Sequence, residues 1–181
     1  WRPGKWASYS NVNYALLGAV IEAQTNAPPD KWLEQNILGP MLMHHSFFAT
    51  SHHSPHSGYH EYLYFPAVGL ISTADDLARL VQFFLRNGRI GNHQLVSKAS
   101  IARMMRVETG LATQCGLPFG YGAGLRIENS NSGVWIGNTG AVEGATSYLA
   151  FSPSLGIGIG IVVDQGPLTR MDLAPFETAL Q

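Results

Sequence analysis

Gly156-Ile157-Gly158-Ile159-Gly160-Ile161-Val162-Val163 alternates bare glycine with isoleucine at a period of two before ending in paired valines. Successive side chains of a strand point to opposite faces, so the isoleucines share one face and the other is bare backbone on which a helix can pack closely. The apolar run from Leu155 to Val163 is too short to cross a bilayer and is interrupted by glycines, which makes it a buried strand. Before it, the segments Tyr121 to Ile127, Gly133 to Gly137 and Thr146 to Phe151 are short, rich in β-branched or aromatic residues, and separated by Gly, Asn, Ser and Pro. With Ile157 to Val163 they read as meandering antiparallel strands. After it, Asp172 to Gln181 is the expected helix for the bare face.

The first two thirds of the chain carry helical periodicity instead. From Asn11 to Thr25, Val12, Leu16, Leu17, Val20 and Ile21 recur at helical spacing, which predicts one buried face, and Asn26 with Pro28-Pro29 ends the helix. A shorter helix is expected from Asp30 to Leu38, stopped by Gly39-Pro40. Thr73 and Asp76 make a start like a capping box for a helix whose stripe is Leu77, Leu80, Val81, Phe84 and Leu85, closed by Asn87-Gly88. Ser97 is the expected N-cap of a helix to about Val107 that buries Ile101, Met104 and Met105. Helices first and strands second, within one compact length, imply α+β organisation or a three-layer α-β-α sandwich. The organisation expected is one partial domain over residues 1–181: a mainly helical part at 1–115, antiparallel strands at 116–171 and a C-terminal helix at 172–181.

The 181 residues suffice for one domain with a substantial core, and 45% apolar with 13% charged residues is globular composition. A net charge of −1 leaves no electrostatic footprint for nucleic acid or an anionic membrane. Cys115 is the single cysteine, so neither an internal disulfide nor a cysteine zinc pair can form. No Gly-x-Ser-x-Gly elbow, phosphate-binding loop or dinucleotide glycine fingerprint occurs. Six histidines crowd one stretch (His44, His45, His52, His53, His56 and His60), but Pro55 and Gly58 oppose a helix there. A solvated loop is expected rather than a metal site, and no cofactor is expected. Asp75 and Asp76 read as complements to a helix dipole, not as an acid-base pair.

Four stretches, taken in order, carry more. Pro3-Gly4 precedes Tyr9-Ser10-Asn11 and Tyr14-Ala15-Leu16-Leu17-Gly18; then comes Ile37-Leu38-Gly39-Pro40-Met41-Leu42-Met43. The third is Pro66-Ala67-Val68-Gly69-Leu70-Ile71-Ser72-Thr73-Ala74-Asp75-Asp76-Leu77-Ala78. The fourth joins Tyr121-Gly122-Ala123-Gly124-Leu125, Gly137-Asn138-Thr139-Gly140 and Ser147-Tyr148-Leu149-Ala150-Phe151-Ser152-Pro153. In this order they resemble the serine beta-lactamase, penicillin-binding-protein and related esterase family, over nearly the whole chain. The first resembles its Tyr-x-Asn element and following helix. Leu42 and Val68 each stand where that family usually has glycine, and Asn138 where it usually has Lys or His.

The resemblance implies a three-layer fold with an antiparallel sheet and a helical subdomain, and acyl transfer through a serine ester. A serine hydroxyl needs a nearby base, which the family provides with lysine in Ser-x-x-Lys. Here the lysines are Lys5, Lys31 and Lys98, and Arg2, Pro28 and Leu95 stand three residues before them, so the motif is missing from these residues. By resemblance, Tyr9 matches the proton-shuttling tyrosine, although a core or rim tyrosine fits locally. Asn11 matches the amide that contacts the catalytic lysine or substrate carbonyl, and is equally an ordinary N-cap. Asn138, Thr139 and Gly140 match the third catalytic motif, with the Ala141 amide as an oxyanion donor; a turn between strands explains Asn-Thr-Gly equally well. The expected function is the C-terminal portion of a hydrolase of amides, lactams or esters, inactive alone. A ligand-binding protein with catalysis lost is the alternative. Expected partners are a small-molecule or peptide substrate and an N-terminal segment or partner chain, with a homodimer or domain swap as a further expectation; the resemblance implies a periplasmic or secreted setting.

Overall fold

The computed structural model describes residues 2, 4–49, 66–142 and 144–164. The chain divides into two compact units, Tyr9–Asp76 and Trp1–Ser8 with Leu77–Gln181. Among the described residues no helix is long and apolar enough to cross a membrane.

In the unit Tyr9–Asp76, helix α1 spans Val12–Thr25 and ends where Asn26 enters the left-handed region and gives its N–H to Glu22 O. Asn is one of the few side chains that tolerate that conformation. Contrary to expectation, most of the stripe is exposed: Val12, Leu16, Leu17 and Val20 lie open, Ile21 is half-buried, and the buried position is Gly18. The reason is a close approach through glycine, since a Cβ at Gly18 would meet Pro66 Cγ at 2.8 Å. Helix α2 spans Pro29–Leu33, with proline in its first turn where a missing N–H costs nothing, and runs into a π-helical turn at Glu34–Leu38. Strands β1 (Phe47–Phe48) and β2 (Leu70–Ile71) pair antiparallel.

Leu42 follows the turn at Gly39 with φ 58°, exposed to solvent. An L side chain in that region costs about 1 kcal/mol, which gives a physical reason for glycine there. Leu42→Gly is therefore expected to raise stability by about 0.5–1 kcal/mol, net of the extra freedom glycine gains on unfolding, read from the urea midpoint at unchanged slope.

Helix α3 (Ala74–Leu85) begins as the capping pattern predicts, with Thr73 Oγ1 accepting from the Asp76 amide at 3.3 Å. Asp76 is more than a dipole complement. At 1% exposure, its Oδ2 accepts from the His45 amide at 2.9 Å and from Ser46 Oγ at 2.7 Å, and Ser46 Oγ lies 2.8 Å from Ser72 Oγ. A buried carboxylate needs such donors to offset its lost hydration, and here they tie the 44–46 loop to the start of α3.

In the other unit, α3 closes at Asn87-Gly88, both at positive φ. Gly88 tolerates no side chain, because a Cβ would strike the Val96 carbonyl oxygen. A small hairpin pairs β3 (Arg89–Ile90) with β4 (His93–Gln94). Ser97 caps α4 (Lys98–Met104) by accepting from the Ser100 amide at 3.0 Å, and Ile101 is fully buried; the helix stops at Met104, short of Val107. A four-residue helix, α5 (Leu111–Gln114), leads to the sheet.

The sheet has five antiparallel strands in sequential order: β5 (Gly120–Tyr121), β6 (Arg126–Ser130), β7 (Gly133–Val142), β8 (Ala145–Ser152) and β9 (Ile157–Asp164). Its register sorts the two faces. Ile136, Asn138, Gly140, Leu149, Phe151, Gly158 and Gly160 share one, while Arg126, Glu128, Trp135, Tyr148, Ala150, Ile159 and Ile161 share the other. The glycine face of β9 receives a helix, as expected, but that helix is α3. A Cβ at Gly158 would meet Val81 Cγ1 at 2.5 Å, one at Gly160 would meet Leu77 Cβ at 2.7 Å, and the Phe84 ring stacks on Phe151 at 5.1 Å. Trp135, Tyr148 and Ala150, with Ile159 and Ile161 against them, form an apolar cluster on the opposite face. A sheet apolar on both faces is the middle layer of three, and the fold is α+β with an antiparallel sheet. The segment 172–181, expected as a helix, lies outside the described residues.

Two expectations for the strands change. Tyr121 to Ile127 is not one strand: it breaks at a turn in which Gly124 has φ 83° and the Gly122 amide bonds Leu125 O at 2.9 Å. Gly122 is fixed there because a Cβ would run into the Met104 carbonyl oxygen. Strand β7 continues past Gly137 to Val142.

Candidate active site

The extension of β7 places Asn138, Thr139, Gly140 and Ala141 inside a strand, paired with Leu149, Tyr148, Ser147 and Thr146 of β8. The turn reading of Asn-Thr-Gly is thereby set aside. On the other side of β7, the ladder with β6 ends at the pair Arg126 and Gly137. From Asn138 onward, that edge of β7 has no strand partner among the described residues. Unpaired N–H and C=O groups along such an edge can hydrogen-bond an extended ligand as an added strand does. Asn138 and Thr139 are exposed, Gly140 is half-buried and Ala141 is exposed. A Cβ at Gly140 would press on Ser147 Oγ, so glycine keeps the strand pair close.

Asn138 does not stand free. Its Nδ2 donates to the Gly124 carbonyl at 2.8 Å, linking the strand to the turn where β6 has given out. Arg126 projects from the opposite face, paired with Glu128 at 3.0 Å and lying 4.7 Å from the Phe119 ring centroid. Phe119 in turn meets Tyr121 edge-on. The guanidinium is thus engaged by a carboxylate and an aromatic face.

Tyr9 and Asn11 belong to the other unit. Tyr9 is 79% exposed, so its phenol is open to solvent rather than packed in a core. Asn11 sits at the N-cap position of α1, where its backbone carbonyl accepts from Tyr14 and Ala15, yet its side chain makes no capping bond. Its Oδ1 is buried and has no hydrogen-bond partner among the described residues. Capping therefore does not explain the residue, and an unsatisfied buried acceptor costs about 1–3 kcal/mol unless something else uses it.

His44 and His45 are the described members of the histidine stretch, and the other four lie outside the described residues. Among the described residues no three His, Cys, Asp or Glu side chains cluster closely enough to hold a metal ion. Cys115 is exposed, with its Sγ 3.5 Å from the Ala7 amide. Sequence reasoning missed the link from Asn138 to Gly124. The available signal was the pair of glycines in Tyr121-Gly122-Ala123-Gly124, which breaks a strand that would otherwise continue.

Known proteins resemble this chain in sequence and in fold. The family model described as Beta-lactamase matches residues 1–180. A Salmonella typhi protein named "Putative D-alanyl-D-alanine carboxypeptidase" is 26% identical over 171 residues, covering 73% of this chain and 37% of that protein. The chain thus spans well under half of that relative's length. Among solved structures, the octameric penicillin-binding protein homologue from Pyrococcus abyssi superposes with a TM-score of 0.75 at 22% identity, over 99% of this chain and 43% of that one. The D-amino acid amidase from Ochrobactrum anthropi SV3 superposes with a TM-score of 0.67 at 21% identity, over 87% of this chain and 54% of that one. These two likenesses concern the fold. The match to residues 1–180, carried on a sheet that holds Asn-Thr-Gly inside an edge-exposed strand, establishes that the chain belongs to the Beta-lactamase family of hydrolases.

Proposed function

We propose that this chain supplies the proton-shuttling and oxyanion-binding groups of an acyl-serine hydrolase acting on an amide, lactam or ester, while the nucleophile comes from a Ser-x-x-Lys segment outside these residues. The observation that carries the reading is the open edge of β7 from Asn138 to Val142, bearing Asn-Thr-Gly in strand conformation. In this reading the serine oxygen attacks the substrate carbonyl carbon as its proton is passed on to the leaving group by way of the Tyr9 side-chain oxygen. Negative charge collects on the carbonyl oxygen, where the Ala141 amide donates, and the leaving group departs with the proton from Tyr9. Water then cleaves the acyl-serine by the same transfers in reverse order. The Oδ1 of Asn11, buried and without a partner among the described residues, supports a role as acceptor for the lysine ammonium or a substrate amide. The exposed apolar stripe of α1 supports its being covered by further polypeptide, either a preceding segment or a partner chain.

The test is kinetic. The chain joined to a Ser-x-x-Lys segment is mixed with a p-nitrophenyl ester, and a burst of one p-nitrophenol per protein is expected before slower turnover. Release no faster than in buffer, with no burst, would remove the proposal. A second reading, a ligand-binding protein without turnover, draws support from the neutral Asn138 where a cation is usual. Saturable binding of a penicillin or a peptidoglycan-like peptide to the joined protein, without any burst, would favour that reading.

A further inference from the structure

We infer that the outer surface formed by α3, the β3–β4 hairpin and α4 docks on a layer of anionic lipid headgroups, holding the protein at a membrane surface through charge. The starting point is how charge is distributed along the chain. From Leu77 to Val107 the basic residues are Arg79, Arg86, Arg89, Lys98, Arg103 and Arg106, and there is no Asp or Glu. From Tyr9 to Asp76 the acids are Glu22, Asp30, Glu34, Glu61, Asp75 and Asp76, against the single base Lys31. The net charge of −1 averages over this separation and hides it.

The structure turns the basic residues outward. Leu77 and Val81 of α3 pack on the glycines of β9, and the Phe84 ring stacks on Phe151. Arg79 and Arg86 stand two turns apart on the opposite side of that helix, and both are exposed. The hairpin and α4 are fixed to the end of α3. Gln94 Nε2 donates to the Asn87 carbonyl at 2.8 Å and to the Val96 carbonyl, and Ile101, fully buried, lies where a Cβ at Gly88 would meet its Cγ1 at 2.9 Å. Lys98, Arg103 and Arg106 are exposed on this block, and Arg89 is half-buried with its Nη2 on the Asn92 carbonyl at 3.1 Å. Arg103 and Arg106, each with its side chain 72% exposed, share the carboxylate of Glu108 at 3.4 and 3.2 Å, so two positive charges meet one negative.

The kind of anion follows from what accompanies the charge. The aromatic residues of the segment, Phe83 and Phe84, are both buried, so it presents no ring for bases to stack on. Val107 is its one exposed large apolar residue, so attachment rests on charge rather than insertion, and salt should reverse it. Each basic side chain brought to an anionic bilayer strengthens binding about fivefold.

The experiment is co-sedimentation of the chain joined to a Ser-x-x-Lys segment with vesicles of phosphatidylcholine alone or mixed equally with phosphatidylglycerol. Binding to the mixed vesicles is expected to be at least about tenfold tighter at about 0.05 M salt, and to be lost at about 0.5 M. Arg86→Gln, Lys98→Gln and Arg103→Gln should each weaken it about fivefold, and together about a hundredfold, with the p-nitrophenyl ester burst unchanged. Lys31→Gln removes an exposed charge from the acidic part of the chain and should leave binding as it was. Equal partition to the two vesicle types would overturn the inference without any variant. Mixed-vesicle binding that survives the triple substitution would overturn it as well, since another surface would then be responsible. Salt-sensitive binding to a short DNA duplex but not to the mixed vesicles would also overturn it, assigning the surface to a polyanionic chain. None of these outcomes bears on the acyl-transfer reading, which the burst tests separately.

Discussion

Gly137→Ala should cost about 3 kcal/mol of stability, enough to lower the thermal midpoint of a domain this size by about 10 °C. Gly137 is buried in the middle of the sheet, with β6 on one side through Arg126 and β8 on the other through Ala150. A Cβ there would collide with the Leu149 carbonyl oxygen and lie 2.9 Å from Ala150 Cα. Both obstacles are backbone, so no rotamer change relieves them, and the β7–β8 pair must separate or shift. The shift would reach Asn138 to Ala141, the next residues along the same strand. Differential scanning calorimetry measures the loss, and a midpoint within 2 °C of the unaltered protein would mean that the strands are less closely paired than described.

The same strand shows where local sequence stops being informative. Asn-Thr-Gly has turn chemistry, since Asn and Gly both favour it, and the periodic signal around Val134 to Ile136 ends before it. What keeps these residues in a strand is pairing with Ser147 to Leu149, a contact between segments that composition does not encode. Alternation in Gly156 to Val163 revealed a strand with one bare face, because a period of two is a property of the strand itself. It did not reveal which helix would lie there. Leu77 and Val81 fill that space, and choosing α3 over a C-terminal segment requires the tertiary fold. The stripe on α1 misled for a related reason: apolar spacing shows that a face can be buried, while Gly18 against Pro66 shows which face approaches its neighbours. In contrast, the Thr73 cap, the Ser97 cap and the Asn87-Gly88 stop were legible from sequence, since each is set within a few residues.

The proposed site is read from the order of its motifs rather than from any single residue. Tyr9 alone reads as a rim tyrosine, and its 79% exposure fits that reading too. Its assignment depends on Asn11 two residues on, whose buried Oδ1 has no partner among the described residues. The corresponding expectation is that Tyr9→Phe, in the chain joined to a Ser-x-x-Lys segment, slows acylation by about 10²- to 10³-fold. Removing the hydroxyl deletes the proton carrier but retains the ring, so substrate binding should stay within about threefold, and the loss should appear in the acylation rate. Stopped-flow release of p-nitrophenol measures that rate directly. A Tyr9→Phe protein that acylates within about threefold of the unaltered one would show that another group moves the proton.

Intact-mass spectrometry of the joined protein after exposure to a fluorescent penicillin is the most direct measurement, because a covalent acyl-serine is the species that every proposed role serves. The prediction is a mass increase equal to one intact penicillin, mapped by proteolysis to the serine of Ser-x-x-Lys and much slower to form in Tyr9→Phe. An unchanged mass at saturating penicillin, from a protein that is folded and binds the compound, would contradict acyl transfer and leave a binding protein in its place.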